Sequence, residues 1–167
     1  MQKQDQGLSS DRYHIIPRTL IFVTDQNKVL LIKGAPTKRI WANRYNGIGG
    51  HIEKGENIRH AAQLELLEET GLTVESLKLC ATIMIDAGEQ SGIGIFVFRS
   101  QNASGDLKKS EEGELSWIPL DQLSAYPLVE DLTALIPAVL ELPPDAEPLA
   151  IHYTFDEQYQ LVMHFNS

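Results

Sequence analysis

Glu65, Glu68 and Glu69 are the residues of this chain whose types and spacing say most about chemistry. Offsets of i, i+3 and i+4 put their three carboxylates on one face of a helix. Like charges stacked in that way repel, by about 0.2–0.5 kcal/mol per pair on an exposed helix. A cation relieves the repulsion, and an all-oxygen, carboxylate-rich ligand set suits a hard divalent ion such as Mg2+ or Mn2+. The plain alternative is a solvated acidic face making ordinary ion pairs. That alternative does not account for Gly50 and Glu56, which precede the triplet in a glycine-containing turn.

Read as G-x5-E-x7-x-E-L-x-E-E-x-G-L, residues 50–72 resemble the Nudix box, the signature of enzymes that hydrolyse nucleoside diphosphates linked to another group. One fixed position departs from it: Leu64 stands where the family has arginine. The resemblance implies that Glu65 and Glu69, one turn apart, are metal ligands, with the backbone carbonyl near Gly50 as a further ligand. It implies that Glu68 either completes a second ligand set or accepts a proton from water. Such a site answers a definite chemical problem. Attack on phosphorus within a polyphosphate is slow because its oxygens repel the nucleophile, and a divalent ion cancels charge, positions the phosphate and lowers the pKa of water. In the family the arginine orients the carboxylates; leucine offers neither charge nor a bidentate fork. Leu64 therefore reads either as a tolerated replacement or as the mark of a weakened or repurposed enzyme. Because all the carboxylates remain, activity is expected to survive.

The flanks narrow the resemblance. Residues 44–50 (RYNGIGG) are similar to the W-N-G-F-G-G run of the 8-oxo-dGTP diphosphatases that sanitise nucleotide pools, the MutT-type members. By that likeness Asn46 meets a purine edge, since a carboxamide both donates and accepts, and Glu130 and Asp131, ahead of the second helix, contact the base. Each has a plainer reading: Asn46 before glycine is a favoured turn residue, and Asp131 is a plausible N-cap. Tyr45 replaces a tryptophan, and Trp41 is the better stacking candidate. Lys33, Lys38, Arg39 and Arg44 are candidate phosphate contacts, Lys33 first among them, or simply solvated cations. Glu111, Glu112 and Glu114 lie in a polar segment before Trp117, a region from which Nudix hydrolases supply another metal ligand or a base. Glu112 best matches that placement, a solvated acidic loop being the alternative.

The elements that must position these groups are legible in outline. Residues 18–24 (RTLIFVT) and 28–33 (KVLLIK) are apolar, β-branched runs around Asp25-Gln26-Asn27, which predicts a hairpin. Residues 34–44 read as a loop at the site's edge and 45–52 as a short strand in which backbone comes close to something. Residues 57–70 form the best predicted helix, apolar on several sides and ended by Gly71. Residues 76–85 and 92–98 read as strands, the first by alternation of Leu77, Leu79, Ala81 and Ile83. A second helix over 131–141 must kink or break at Pro137. A proline-rich linker leads to a closing hairpin, 149–155 and 160–165. Strands and helices mix without regular βαβ alternation, which favours α+β layers. The resemblance implies the α/β/α Nudix sandwich: a mixed central sheet, a smaller antiparallel sheet and the box helix between layers. The expected organisation is a mobile tail over residues 1–13 and one domain over 14–167.

Composition sets the limits. With 167 residues, 43% hydrophobic and 22% charged, the chain can bury a sizeable core as one soluble domain. A net charge of −9 argues against a nucleic-acid polymer as ligand but leaves room for a metal-neutralised nucleotide. The polar N-terminus predicts no signal peptide, and no apolar run predicts a membrane span. The single Cys80 excludes an intrachain disulfide and predicts a core residue in a reducing cytoplasm. Histidines show no ligand spacing, and monomer and homodimer stay equally open. The expectation is a Mg2+- or Mn2+-dependent hydrolase taking a nucleoside triphosphate, 8-oxo-dGTP foremost, to monophosphate and pyrophosphate. ADP-ribose, a nucleotide sugar or a dinucleoside polyphosphate is the alternative substrate, and a degenerate nucleotide-binding regulator the alternative function.

Overall fold

The computed structural model describes residue 7 and residues 11–110 and 112–166. Most of the expected tail, and Glu111, therefore lie outside the described residues. Two strands, β1 (His14–Asp25) and β2 (Lys28–Gly34), form the predicted hairpin through the registers Thr24↔Val29 and Asp25↔Lys28. Beyond that turn they diverge. A short β3 (Tyr45–Asn46) joins β2, and the segment after it bridges back to β1 at Ile21↔Ile48 and Arg18↔His51. Helix α1 (Ile58–Thr70) follows, then β4 (Lys78–Asp86), β5 (Ser91–Gln101) and β6 (Gly113–Pro119). A 3-10 turn at Leu120–Ala125 leads to α2 (Leu132–Leu140), and β7 (Leu149–Phe155) and β8 (Leu161–Asn166) close the chain.

The central sheet runs β1-β5-β4-β7-β8. It is mixed: β1 with β5 and β4 with β7 are parallel, β5 with β4 and β7 with β8 antiparallel. The smaller antiparallel sheet, β3-β2-β6, is joined to it through the β1–β2 hairpin. Alternation along the first two strands feeds two cores. Ile21, Val23, Leu30 and Ile32 pack with Ala62 and Leu66 of α1, while Leu20, Phe22, Val29 and Leu31 pack with Leu132, Leu135 and Val139 of α2. A strand buried on both faces needs the continuous apolar run that residues 20–23 and 29–32 supply.

Helix α1 is locally encoded at both ends. Asn57 Oδ1 accepts from the N–H groups of Arg59 and His60, and Gly71, at φ 80°, ends the helix with its N–H on Leu67 O. Its apolar girth is not buried throughout, since Leu67 remains 44% exposed. Elsewhere, helix α2 does not break at Pro137; Thr133, whose carbonyl proline leaves without a helical donor, faces solvent and can be hydrated. One local expectation is corrected. In β4 the alternation slips at a bulge between Leu79 and Ala81, so Cys80 and Ala81 are both buried.

Candidate active site

A cleft of about 750 Å3 opens between the glycine segment after β3, the carboxylate face of α1, the start of α2 and the β7–β8 hairpin. Its volume falls in the range usual for small-molecule sites, about 300–1,000 Å3. One end is acidic. Glu65 and Glu69 reach it from α1 and Glu112 from the segment before β6, with Glu53 beside Gly50. Two glycines make this end possible. A Cβ at Gly50 would overlap the Glu65 carboxylate, and one at Gly49 (φ 149°) would strike the backbone of Thr19. The Gly49 N–H donates to Oε2 of Glu69 at 3.2 Å, fixing that carboxylate on the strand. The Gly50 carbonyl accepts from Thr19 N–H at 2.9 Å, which leaves it one lone pair. Glu56 acts a step away: its Oε2 accepts the Glu53 N–H at 2.9 Å, pinning the turn that leads into α1.

Burial, then the neighbouring carboxylates of Glu68, Glu56, Glu112 and Glu53, raise the Glu65 carboxyl above its ordinary pKa. Burial raises Glu69 most, to about 7; Glu65 and Glu112 add to it, while the Gly49 N–H and Lys38 oppose it. Acidic groups held this close are costly without a cation. Among the described residues no three His, Cys, Asp or Glu side chains form a ready-made metal cage. The donor set nevertheless fits a hard cation: it is all oxygen, partly buried, and packed where glycine leaves space.

The other end is suited to a flat polar ligand. Asn46, Glu130 and Asp131 line it, with Leu20, Val129 and Phe155 as apolar wall, and Trp41 also lines the cleft. The Asn46 Oδ1 accepts from Gly47 N–H at 2.8 Å, so the turn reading holds and the amide NH2 is left to donate elsewhere. Asp131 is not a side-chain N-cap; its Oδ2 accepts from the Tyr153 hydroxyl at 3.1 Å. Burial raises the Asp131 pKa and the Tyr153 bond opposes that rise. Glu130 is mostly exposed and lies 3.9 Å from Arg44.

Of the residues singled out from the sequence, Gly50, Glu65, Glu69, Glu112, Asn46, Glu130 and Asp131 share this cleft. Glu68 and Lys33 do not line it. Glu68 is exposed beside Glu65, and the Lys33 ammonium lies 5.8 Å from the ring centroid of Tyr45. Tyr45 packs edge-on against Tyr126, so it is structural, whereas Trp41 does reach the cleft. Lys38 pairs with Glu112, and Arg44 also donates to Leu128 O. Trp117 packs beside the α1 core. Arg18, Glu53 and Tyr153 line the cleft and were missed. Tyr153 could have been flagged by the alternation of Ile151, Tyr153 and Phe155; Arg18 is the lone cation heading an apolar strand.

Comparison with known proteins shows the family. The chain is 33% identical over 124 residues to the oxidized purine nucleoside triphosphate hydrolase of Danio rerio, covering 74% of this chain and 78% of that protein. It is 31% identical over 141 residues to the protein of the same name from Mus musculus, covering 84% and 86%. Among solved structures, the mMutator MutT protein of Bacillus halodurans superposes with a TM-score of 0.76 at 24% identity, covering 91% of this chain and 98% of that one. With the NUDIX domain matched over residues 14–139, the chain belongs to the Nudix hydrolase family.

Proposed function

We propose that this protein hydrolyses a nucleoside triphosphate carrying an oxidised purine, with 8-oxo-dGTP the leading candidate, to the monophosphate and pyrophosphate. The observation that carries the reading is one cleft with two chemically distinct ends: carboxylates at Glu65, Glu69 and Glu112, and purine-edge partners at Asn46, Glu130 and Asp131. The relatives named for oxidised purine triphosphates support the same substrate class. Residues 14–167 act together, since Tyr153, Phe155 and Leu161 of the closing hairpin complete the cleft wall. A reducing cytoplasm suits the buried free Cys80, and none of the described helices is long and apolar enough to cross a membrane.

Glu65, Glu69 and the Gly50 carbonyl would hold Mg2+ or Mn2+, with Glu68 at the edge of the set. The ion supplies charge cancellation along the polyphosphate and acidifies water. The chain's own residues do the remaining work. The Asn46 NH2 donates to an acceptor on the base, and Asp131 faces the base edge. Water oxygen bonds to an internal phosphorus, the anhydride bridge between the first and second phosphates breaks, and monophosphate and pyrophosphate separate, the bridging oxygen leaving with the phosphate that was not attacked. The water proton passes to a carboxylate. Glu112 lines the cleft and Glu68 does not, which favours Glu112 as acceptor.

A panel of 8-oxo-dGTP, dGTP, ADP-ribose, a nucleotide sugar and a dinucleoside polyphosphate, with Mg2+ and scored for pyrophosphate, tests this. The expected result is pyrophosphate release fastest from the oxidised triphosphate. Turnover confined to ADP-ribose or a nucleotide sugar overturns the substrate assignment. No turnover of any nucleotide, with retained binding, favours the regulator that Leu64 keeps in view.

A further inference from the structure

Arg18 lines the cleft but pairs with none of its carboxylates. It lies on β1 two residues before Leu20, and the two-residue period of a strand puts both on the cleft side, where both line the cavity. Its Nε is buried and has no hydrogen-bond partner among the described residues. A buried donor left unpaired is unfavourable, and native structures rarely keep one without a reason.

Lys33 and Arg39 do not line the cleft, and the two cations paired with its lining residues are already engaged. Lys38 pairs with Glu112, and Arg44 with Glu130 and the Leu128 carbonyl. Arg18 enters no ion pair among the described residues, and the cation that acts on Glu69 is Lys38. So the cleft holds a guanidinium that its own carboxylates have not claimed.

The register fixes where along the cleft it stands. Leu20 packs against Gly47, next to Asn46 at the base end. Arg18 bridges His51, and its neighbour Thr19 donates to Gly50 O at the acidic end. One pleat of β1, about 6.6 Å, separates the two. Arg18 therefore stands at the acidic end, where a nucleotide whose base lies by Asn46 would place its phosphate chain. A planar guanidinium with parallel N–H donors matches phosphate oxygens.

We propose that Arg18 is a substrate-contacting residue that binds the phosphate chain of the nucleotide and supplies the positive charge that the cleft otherwise lacks. The inference rests on the proposed nucleotide reading but is tested without turnover. Deoxyguanosine and dGMP are titrated calorimetrically into the full-length protein, its Arg18→Gln variant and its Arg18→Lys variant, all with Mg2+. Removing a charge-assisted bond to phosphate is expected to weaken dGMP binding by roughly tenfold to a hundredfold. Deoxyguanosine binding stays unchanged, and Arg18→Lys recovers part of the loss. If the panel shows turnover, Arg18→Gln raises KM for the triphosphate while the preference between 8-oxo-dGTP and dGTP is kept.

Equal weakening of nucleoside and nucleotide overturns the proposal by making Arg18 a base contact. Unchanged dGMP affinity with a lowered Tm overturns it by making Arg18 structural. Wild-type protein that binds dGMP no better than deoxyguanosine overturns it as well. Wild type that binds dGMP through Arg18 but hydrolyses no triphosphate instead sinks the enzymatic reading and leaves this one standing.

Discussion

The Tyr153 hydroxyl donates to Oδ2 of Asp131 at 3.1 Å, tying β7 to the turn that opens α2. Tyr153 is 2% exposed, and burial together with the Asp131 carboxylate holds its hydroxyl far above the ordinary phenol pKa, so it stays protonated and keeps its proton to donate. One carboxylate oxygen is thereby satisfied from within the protein, which orients the other. Tyr153→Phe keeps the ring and removes the donor. The expected outcome is a KM for the oxidised purine triphosphate raised about fivefold, the worth of about 1 kcal/mol, with kcat little changed. Steady-state kinetics check it, and an equal fall in kcat at unchanged KM would assign the pair to the chemical step instead.

The same pair gives a pH dependence. The Asp131 pKa is raised in the folded protein, chiefly by burial. A raised carboxyl pKa means that the folded state binds the proton more tightly than the unfolded one. Its stabilising contribution is complete below the unfolded pKa and lost as pH rises through the folded one. Asp131→Asn removes that loss while its amide oxygen can still accept from Tyr153. Relative to wild type, the variant should gain stability as pH rises from the acid range to neutral. Urea midpoints measured across that range test this, and a difference that stays flat with pH refutes it.

How much of this was readable beforehand depended on the range of the interaction. Asn57 and Gly71 bound α1 through bonds to residues no more than four positions away, so the helix could be read directly. The hairpin around Gln26 was equally local. Asp131 misled because its sequence neighbours suit a cap, while its actual partner lies 22 residues on. Cys80 is in the core as expected, but the regular alternation read around it fails, because a bulge is a property of the paired strands, which one strand's pattern does not encode. The box singled out Glu65 and Glu69, which do line one cleft, but which of three clustered glutamates faces inward depends on how α1 rolls against the sheet. Glu68 turned out on the solvent side.

Gly50 yields a prediction that leaves every charge in place. A methyl group there would overlap the Glu65 carboxylate. Gly50→Ala is expected to displace that carboxylate and lower turnover by about tenfold to a hundredfold, the scale on which small misplacements cost rate. Mn2+ binding should weaken with it, and circular dichroism should stay unchanged. In a Glu65→Ala background the added methyl has nothing to strike. There Gly50→Ala should cost little more, a non-additivity that a double-mutant cycle measures. Fully additive losses would mean that Gly50 matters through its backbone rather than through Glu65.

Leu64 decides whether the carboxylates need help from within α1. It is half-buried on that helix, one position before Glu65 and one turn before Glu68. An arginine there would sit four residues ahead of Glu68, a spacing worth only about 0.2–0.5 kcal/mol as a helix pair. Glu69 is already held by the Gly49 N–H, and Glu65 lies against Gly50, so neither depends on a cation at position 64 for its placement. Leu64→Arg is therefore expected to change kcat by less than about fivefold, the scale of 1 kcal/mol, and to leave the substrate ranking as it was. Kinetics on the nucleotide panel with Mg2+ measure it. A gain of two orders of magnitude would show instead that the wild-type chain is an impaired hydrolase, and that its carboxylates are placed but not oriented.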